Sequence, residues 1–130
     1  MKATDLMIGD WVKYTLTGIP ARVTGIIKTP KECNIYAYVG TCSRLQGINE
    51  RDFEPIPITE EFLKKNGFCS KHNDLYYLDS GWYLDIEGSA TGEFNDAYES
   101  PNFIKKFTVK YVHELQHLLR MMGEEKEVIL

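Results

Sequence analysis

The sequence predicts an α+β protein: a small SH3-like β-barrel region, a short helix, a β-hairpin region, and a C-terminal helix packed on the sheet. Three observations predict this. The first 58 residues hold four or five short runs that alternate apolar and polar side chains and are separated by Gly, Pro, Asn and Asp. Residues 59–68 carry paired helix start and stop signals. Residues 111–123 repeat apolar side chains at the helical period.

Residues 11–16 are the first candidate strand, entered through the turn-like Ile8-Gly9-Asp10 and reversed at Thr17-Gly18. In residues 19–27, Ala21, Val23 and Ile27 share one face, and Arg22, Thr24 and Ile26 the other. Residues 28–31 form a loop. In residues 34–40, Ile35, Ala37 and Val39 alternate with Tyr36 and Tyr38. Residues 44–48 and 53–56 complete the set. Strands this short suit a barrel, because closure removes open edges. Thr59 is the expected N-cap of the first helix, with Ile58 stapled onto Leu63. Gly67 is placed for a left-handed stop, with Phe68 beside Leu63. Glu60 and Glu61 sit at the positive end of the helix dipole, Lys64 and Lys65 at the negative end. Residues 75–78 and 82–86 flank Asp79-Ser80-Gly81 and read as a hairpin. Residues 88–101 read as a loop and 103–107 as one more strand. Thr108 is the expected cap of the last helix, which runs to Met122 and stops at Gly123. The apolar Val128-Ile129-Leu130 predicts a tail that docks.

Composition sets the class. The chain has 130 residues, 43% hydrophobic and 26% charged, enough to bury a core without covalent staples. Residues 1–58 (the barrel-like region) and 59–130 (the α+β region) are expected to form one compact unit. A formal net charge of -4 argues against a general binder of nucleic acid or anionic membrane. The charge is uneven: residues 1–58 carry net +1 and residues 59–130 net -5, so a polyanion would prefer the N-terminal part. Cys33, Cys42 and Cys69 are widely spaced and odd in number, which predicts free thiols in a reducing compartment. No apolar run approaches the ~20 residues of a membrane span, and a cytoplasmic location is expected.

One motif carries recognisable chemistry. His113-Glu114-Leu115-Gln116-His117 matches the H-E-x-x-H pattern of zinc hydrolases, in which two histidines one turn apart bind the ion and the glutamate activates its water. The helical pattern argues against it. At 100° per residue, Tyr111, Val112, Leu115, Leu118, Leu119 and Met122 form one apolar face, and His113 and His117 lie nearly opposite its centre. The expectation is that both imidazoles face water, and that any metal they take is adventitious. Only thirteen residues follow His117, leaving little chain for a third ligand except an upstream His72 or Asp96.

Three blocks of the sequence resemble an uncharacterised family found in Bacteroidetes genomes and in their phages and mobile elements. They are Leu6-Met7-Ile8-Gly9-Asp10-Trp11-Val12; Pro55-Ile56-Pro57-Ile58-Thr59 leading into Leu63 and Asn66-Gly67-Phe68; and Tyr111-Val112-His113-Glu114-Leu115-Gln116. The resemblance implies a phage or mobile-element origin and brings no activity with it. In that family's pattern the last block continues with Asn where this chain has His117, and ends Leu-Thr-Gly where this chain has Met121-Met122-Gly123. The resemblance thus implies that a role shared across the family does not require a second zinc ligand.

The remaining signal lies in the N-terminal half. Trp11, Tyr14, Tyr36 and Tyr38 interleave with Lys13, Arg22 and Lys28. On a small barrel, some of Trp11, Arg22, Tyr36 and Tyr38 would form an aromatic surface able to grip a protein or stack single-stranded nucleic acid; the alternative, which the sequence favours, is that these aromatics pack against the second half of the chain. Cys42-Ser43 has no His or Asp tied to it as a nucleophile's partner. The acidic loop of residues 87–99 lacks the alternating ligand order of a calcium site. The expectation is therefore a non-enzymatic interaction module with no cofactor or metal. Two rival classes remain: a zinc hydrolase using His113, Glu114 and His117, and a structural subunit acting through oligomerisation.

Overall fold

The computed structural model describes residues 1–72, 75–77, 82–87, 91–96, 107–121, 123 and 127–130. The chain divides into two units, Met1–Ile56 with Tyr111–Glu125, and Pro57–Lys110 with Lys126–Leu130. The C-terminal helix thus belongs with the N-terminal sheet, whereas the sequence boundary after residue 58 had grouped it with the second region.

The first unit is built on a curled, half-barrel sheet of five antiparallel strands. They are β1 (Trp11–Tyr14), β2 (Ile19–Lys28), β3 (Cys33–Val39), β4 (Leu45–Asn49) and β5 (Phe53–Glu54), in the order β4-β3-β2-β1-β5. The β1–β2 reversal uses Gly18 at φ +70°, a conformation that L side chains rarely adopt, and its N–H donates to the Tyr14 carbonyl at 2.7 Å. Val12, Ala21, Val23, Ile35, Ala37, Ile48 and Phe53 are buried, with Ala3 and Leu6 of the N-terminal segment in the same cluster. Each is an inward position of a strand or its lead-in, so the period-two reading located this core.

It failed at one place. The β2–β3 register shifts between Val23 and Gly25, leaving Thr24 as the extra residue of a bulge. A bulge reverses the alternation beyond it. Ile26, expected outside, packs against the core, and Ile27, expected inside, is exposed.

The second unit opens with α1 (Glu60–Lys65). Thr59 Oγ1 accepts from the Phe62 N–H at 3.2 Å, as expected of the cap. At the other end Gly67 takes φ +82°, its N–H donates to the Lys64 carbonyl, and the Phe68 N–H donates to the Leu63 carbonyl. That is a complete Schellman stop. Glu60 and Lys64 pair across one turn at 3.1 Å, each favouring the other's charged form. Asn66, only 3% exposed, ties this corner to the tail. Its Nδ2 donates to the carbonyls of Phe62 (2.8 Å) and Ile129 (2.6 Å), and its Oδ1 accepts from the Ile129 N–H (2.7 Å). Val128 is buried, so the apolar tail docks as its sequence predicts.

An antiparallel meander follows: β6 (Cys69–His72), β7 (Leu75–Tyr77), β8 (Trp82–Glu87), β9 (Thr91–Asp96) and β10 (Phe107–Val109), in the order β10-β9-β8-β7-β6. β7 and β8 are the predicted hairpin arms. Part of the predicted loop, residues 91–96, is instead strand β9, paired along its length with β8. Cross-strand pairing there outweighs a local composition of Gly, Asn and Asp. Thr108 lies within β10 opposite Glu93, so it does not cap the last helix. The Asp79-Ser80-Gly81 turn, residues 103–106 of the predicted strand, and the side chains of His72 and Asp96 lie outside the described residues.

The last helix, α2, spans Val112–Met121 in the first unit. Gly123, at φ +78°, donates its N–H to the Arg120 carbonyl and ends it. Cys33, Cys42 and Cys69 are free thiols. No helix among the described residues is long and apolar enough to cross a membrane.

Candidate functional site

The curled sheet turns one face to the core and leaves the other to be judged by what it carries. Residues paired across neighbouring strands point to the same side. Trp11 pairs with Arg22, Arg22 with Tyr38, and Tyr38 with Leu45, so these four form one row over β1, β2, β3 and β4. Val12, Ala21 and Val39, one position away, form the adjoining inward row. The Arg22 guanidinium carbon lies 5.9 Å from the Trp11 ring centroid, within cation–π range. Tyr36, two positions before Tyr38, occupies the next outward row between Gly25 and Gly47. A Cβ on either glycine would touch the Tyr36 ring, at 3.7 Å and 3.5 Å respectively. The ring therefore lies across two bare strands. Tyr36, Tyr38 and Leu45 are 40%, 41% and 47% exposed.

All four surface residues named from sequence, Trp11, Arg22, Tyr36 and Tyr38, thus share the outer face. Sequence reading missed Leu45, Gly25 and Gly47 as members of it. Their signal was present, since each stands at an outward register position beside a tyrosine.

The second constellation lies on α2, and it corrects the expected orientation of the histidines. His113 is only 6% exposed and Gln116 5%. The polar side of α2 meets the turn before β1. Gln116 brackets that turn: its Oε1 accepts from the Trp11 N–H at 2.9 Å, and its Nε2 donates to the Gly9 carbonyl at 3.0 Å. Asp10, fully buried, receives the rest. Its Oδ2 accepts from the Met7 N–H (2.7 Å) and lies 2.6 Å from His117 Nε2, while its Oδ1 accepts from Arg120 Nη1 (2.9 Å). The core side of α2 is not reserved for apolar side chains: a short helix against a turn buries a polar strip as well, most of whose groups find partners.

Glu114, Gln116 and His117 of the zinc-like motif each make a hydrogen bond within the fold. Glu114 Oε2 accepts from the Tyr111 N–H at 3.3 Å, the return bond of a capping box at the helix start. His117 is engaged with Asp10. The His113 ring stacks on Tyr111 (centroids 6.0 Å apart) and meets His117 edge-on (5.7 Å). Its buried Nδ1 has no hydrogen-bond partner among the described residues. Burial pushes the His113 pKa below its ordinary value, which favours the neutral imidazole. Among the described residues no three His, Cys, Asp or Glu side chains come together to hold one ion.

Separate segments of the chain also meet here in the first unit: residues 9–11 are joined to α2 through Gln116, and the Val112 N–H donates to the Ile56 carbonyl at 2.8 Å. No family model, no curated protein and no solved structure matches the chain.

Proposed function

We propose that the chain is a non-enzymatic interaction module that presents the outer face of a small SH3-like barrel to a protein partner. The row Trp11–Arg22–Tyr38, flanked by Tyr36, carries this reading. Trp, Tyr and Arg are the side chains that dominate binding energy at protein interfaces. The Tyr36 ring is already placed by Gly25 and Gly47, so ordering it on binding costs little. Charge favours protein over nucleic acid. The chain is net -4, and Arg22 is the one cation in the row, whereas gripping a phosphate backbone draws on several. In this reading α2, packed against the sheet, completes the barrel, and its histidines support the turn at Asp10 and do no chemistry. The resemblance adds a phage or mobile-element setting.

Replacing Tyr38 with a photo-crosslinking phenylalanine analogue and irradiating cells of the native host tests the surface. A discrete adduct, lost when Arg22→Ala is added, is the expected result. A second arm titrates purified protein with oligothymidylate, followed by Trp11 fluorescence in a Trp82→Phe background. Saturable quenching there would reassign the face to single-stranded nucleic acid. Neither adduct nor quenching would sink the proposal.

A further inference from the structure

Among the edges of the two sheets, β4 stands out. Natural edge strands are blunted by charge, proline, bulges or brevity. β5 has only two residues, and its Glu54 is paired with Lys13. In the second unit β6 carries Lys71 and His72, and β10 has three residues. β4 has five residues, Leu-Gln-Gly-Ile-Asn, with no charge, no proline and no bulge in its pairing with β3. Among the described residues, no backbone hydrogen bond reaches its outer side.

We propose that β4 pairs antiparallel with β4 of a second copy, joining two half-barrel sheets into one ten-stranded sheet about a two-fold axis at Gly47. Antiparallel pairing about an axis normal to the sheet keeps outward residues outward only when the axis passes through a residue pair. Of the residues in β4, only Gly47 as centre engages all five positions. Leu45 then faces the partner's Asn49, and Gln46 the partner's Ile48.

The residues just outside the strand select the same register. Arg44 precedes β4 and Glu50 follows it, and centring on Gly47 sets each Arg44 opposite the other copy's Glu50. Arg44 is exposed and has no partner among the described residues. Glu50 uses Oε2 to accept the Ala3 N–H, which leaves Oε1 for a guanidinium. Two symmetric ion pairs thus close the ends of an uncharged ladder. At the centre the two Gly47 residues lie side by side, each next to its own Tyr36 ring. The pairing stands whether or not the outer face binds a partner.

Sedimentation equilibrium over rising concentration tests it on the full chain. Wild type is expected to approach twice the 15.0 kDa of one chain. Arg44→Glu should weaken the dimer roughly tenfold at low salt, and Arg44→Glu/Glu50→Arg should restore it. A Gly47→Cys variant with Cys33, Cys42 and Cys69 changed to Ser should cross-link under mild oxidation, because directly opposed residues lie within disulfide reach. Leu16→Cys in that background should not. A chain that stays monomeric into the millimolar range would overturn the proposal. So would a dimer indifferent to Arg44→Glu that fails to cross-link through residue 47.

Discussion

At the residue scale, Asp10 organises the first unit. A buried carboxylate costs several kcal/mol to desolvate, and here the Met7 N–H, His117 and Arg120 offset that cost. Asp10→Ala leaves those donors facing an apolar gap, and is expected to cost about 2–4 kcal/mol by urea titration followed at Trp11. His117→Gln places an amide N–H near the position of the ring Nε2 that meets Asp10, so the expected cost is below about 1 kcal/mol. A larger loss would mean that the imidazole does more than donate one bond. His113 adds a pH term. Its folded pKa is lowered by burial, so the unfolded chain takes up the proton first as pH falls. The stability it contributes is complete above its unfolded pKa of about 6.5 and fades as pH drops below that value. The stability difference between wild type and His113→Gln should therefore shrink on going from about pH 7.5 to about pH 5.5. A difference that is flat or grows would contradict the burial argument.

At the element scale, α1 shows sequence and structure in closest agreement. Thr59→Ala removes the acceptor for the Phe62 N–H, with an expected cost of about 1 kcal/mol, checked by the melting midpoint. Thr59→Ser should retain most of it. This helix was legible because capping and the glycine stop are local: every bond that defines it spans a few residues. The strands of the half-barrel were legible for a similar reason, since period-two alternation is written along each strand. Ile27 was misplaced because the bulge at Thr24 exists only through β3, and nothing in residues 19–28 alone announces it. β9 was missed because its Gly, Asn and Asp suit a loop until β8 is beside them. Trp11, Arg22, Tyr36 and Tyr38 share outward rows because the strand register places them there. The His113–His117 strip was not legible, because its partners lie about a hundred residues upstream in the turn before β1.

At the scale of the whole molecule, the first unit is discontinuous. Its sheet comes from Met1–Ile56 and its helix from Tyr111–Glu125, with Pro57–Lys110 of the second unit between them in the chain. Closing so long a loop costs entropy that only the assembled contacts return. A fragment of residues 1–58 keeps every strand of the half-barrel, yet leaves Asp10 without His117 and Arg120 and the Gly9–Trp11 turn without Gln116. It is expected to show no cooperative urea transition by circular dichroism. Attaching residues 109–125 to that fragment through a Gly-Ser linker should restore one. Cooperative unfolding of the bare fragment would show that the helix is an accessory to the sheet and not a condition for it.

The corner at Asn66 and Gly67 has a consequence in covalent chemistry. Asn-Gly is the dipeptide most open to succinimide formation, in which the glycine nitrogen attacks the preceding side-chain amide and ammonia leaves. Here the fold restrains both reactants. The Gly67 nitrogen is committed to the Lys64 carbonyl, and the Asn66 amide is fixed by Phe62 and Ile129. Release of the tail frees the Asn66 amide from Ile129, and fraying of the last turn of α1 frees it from Phe62 and Gly67 from Lys64. Hydrolysis of the ring then gives aspartate or isoaspartate, whose carboxylate meets the Phe62 and Ile129 carbonyls where the amide had donated. The tail cannot return to its place, so deamidation at this one residue would accumulate in ageing protein as a permanent record of how often the corner has opened.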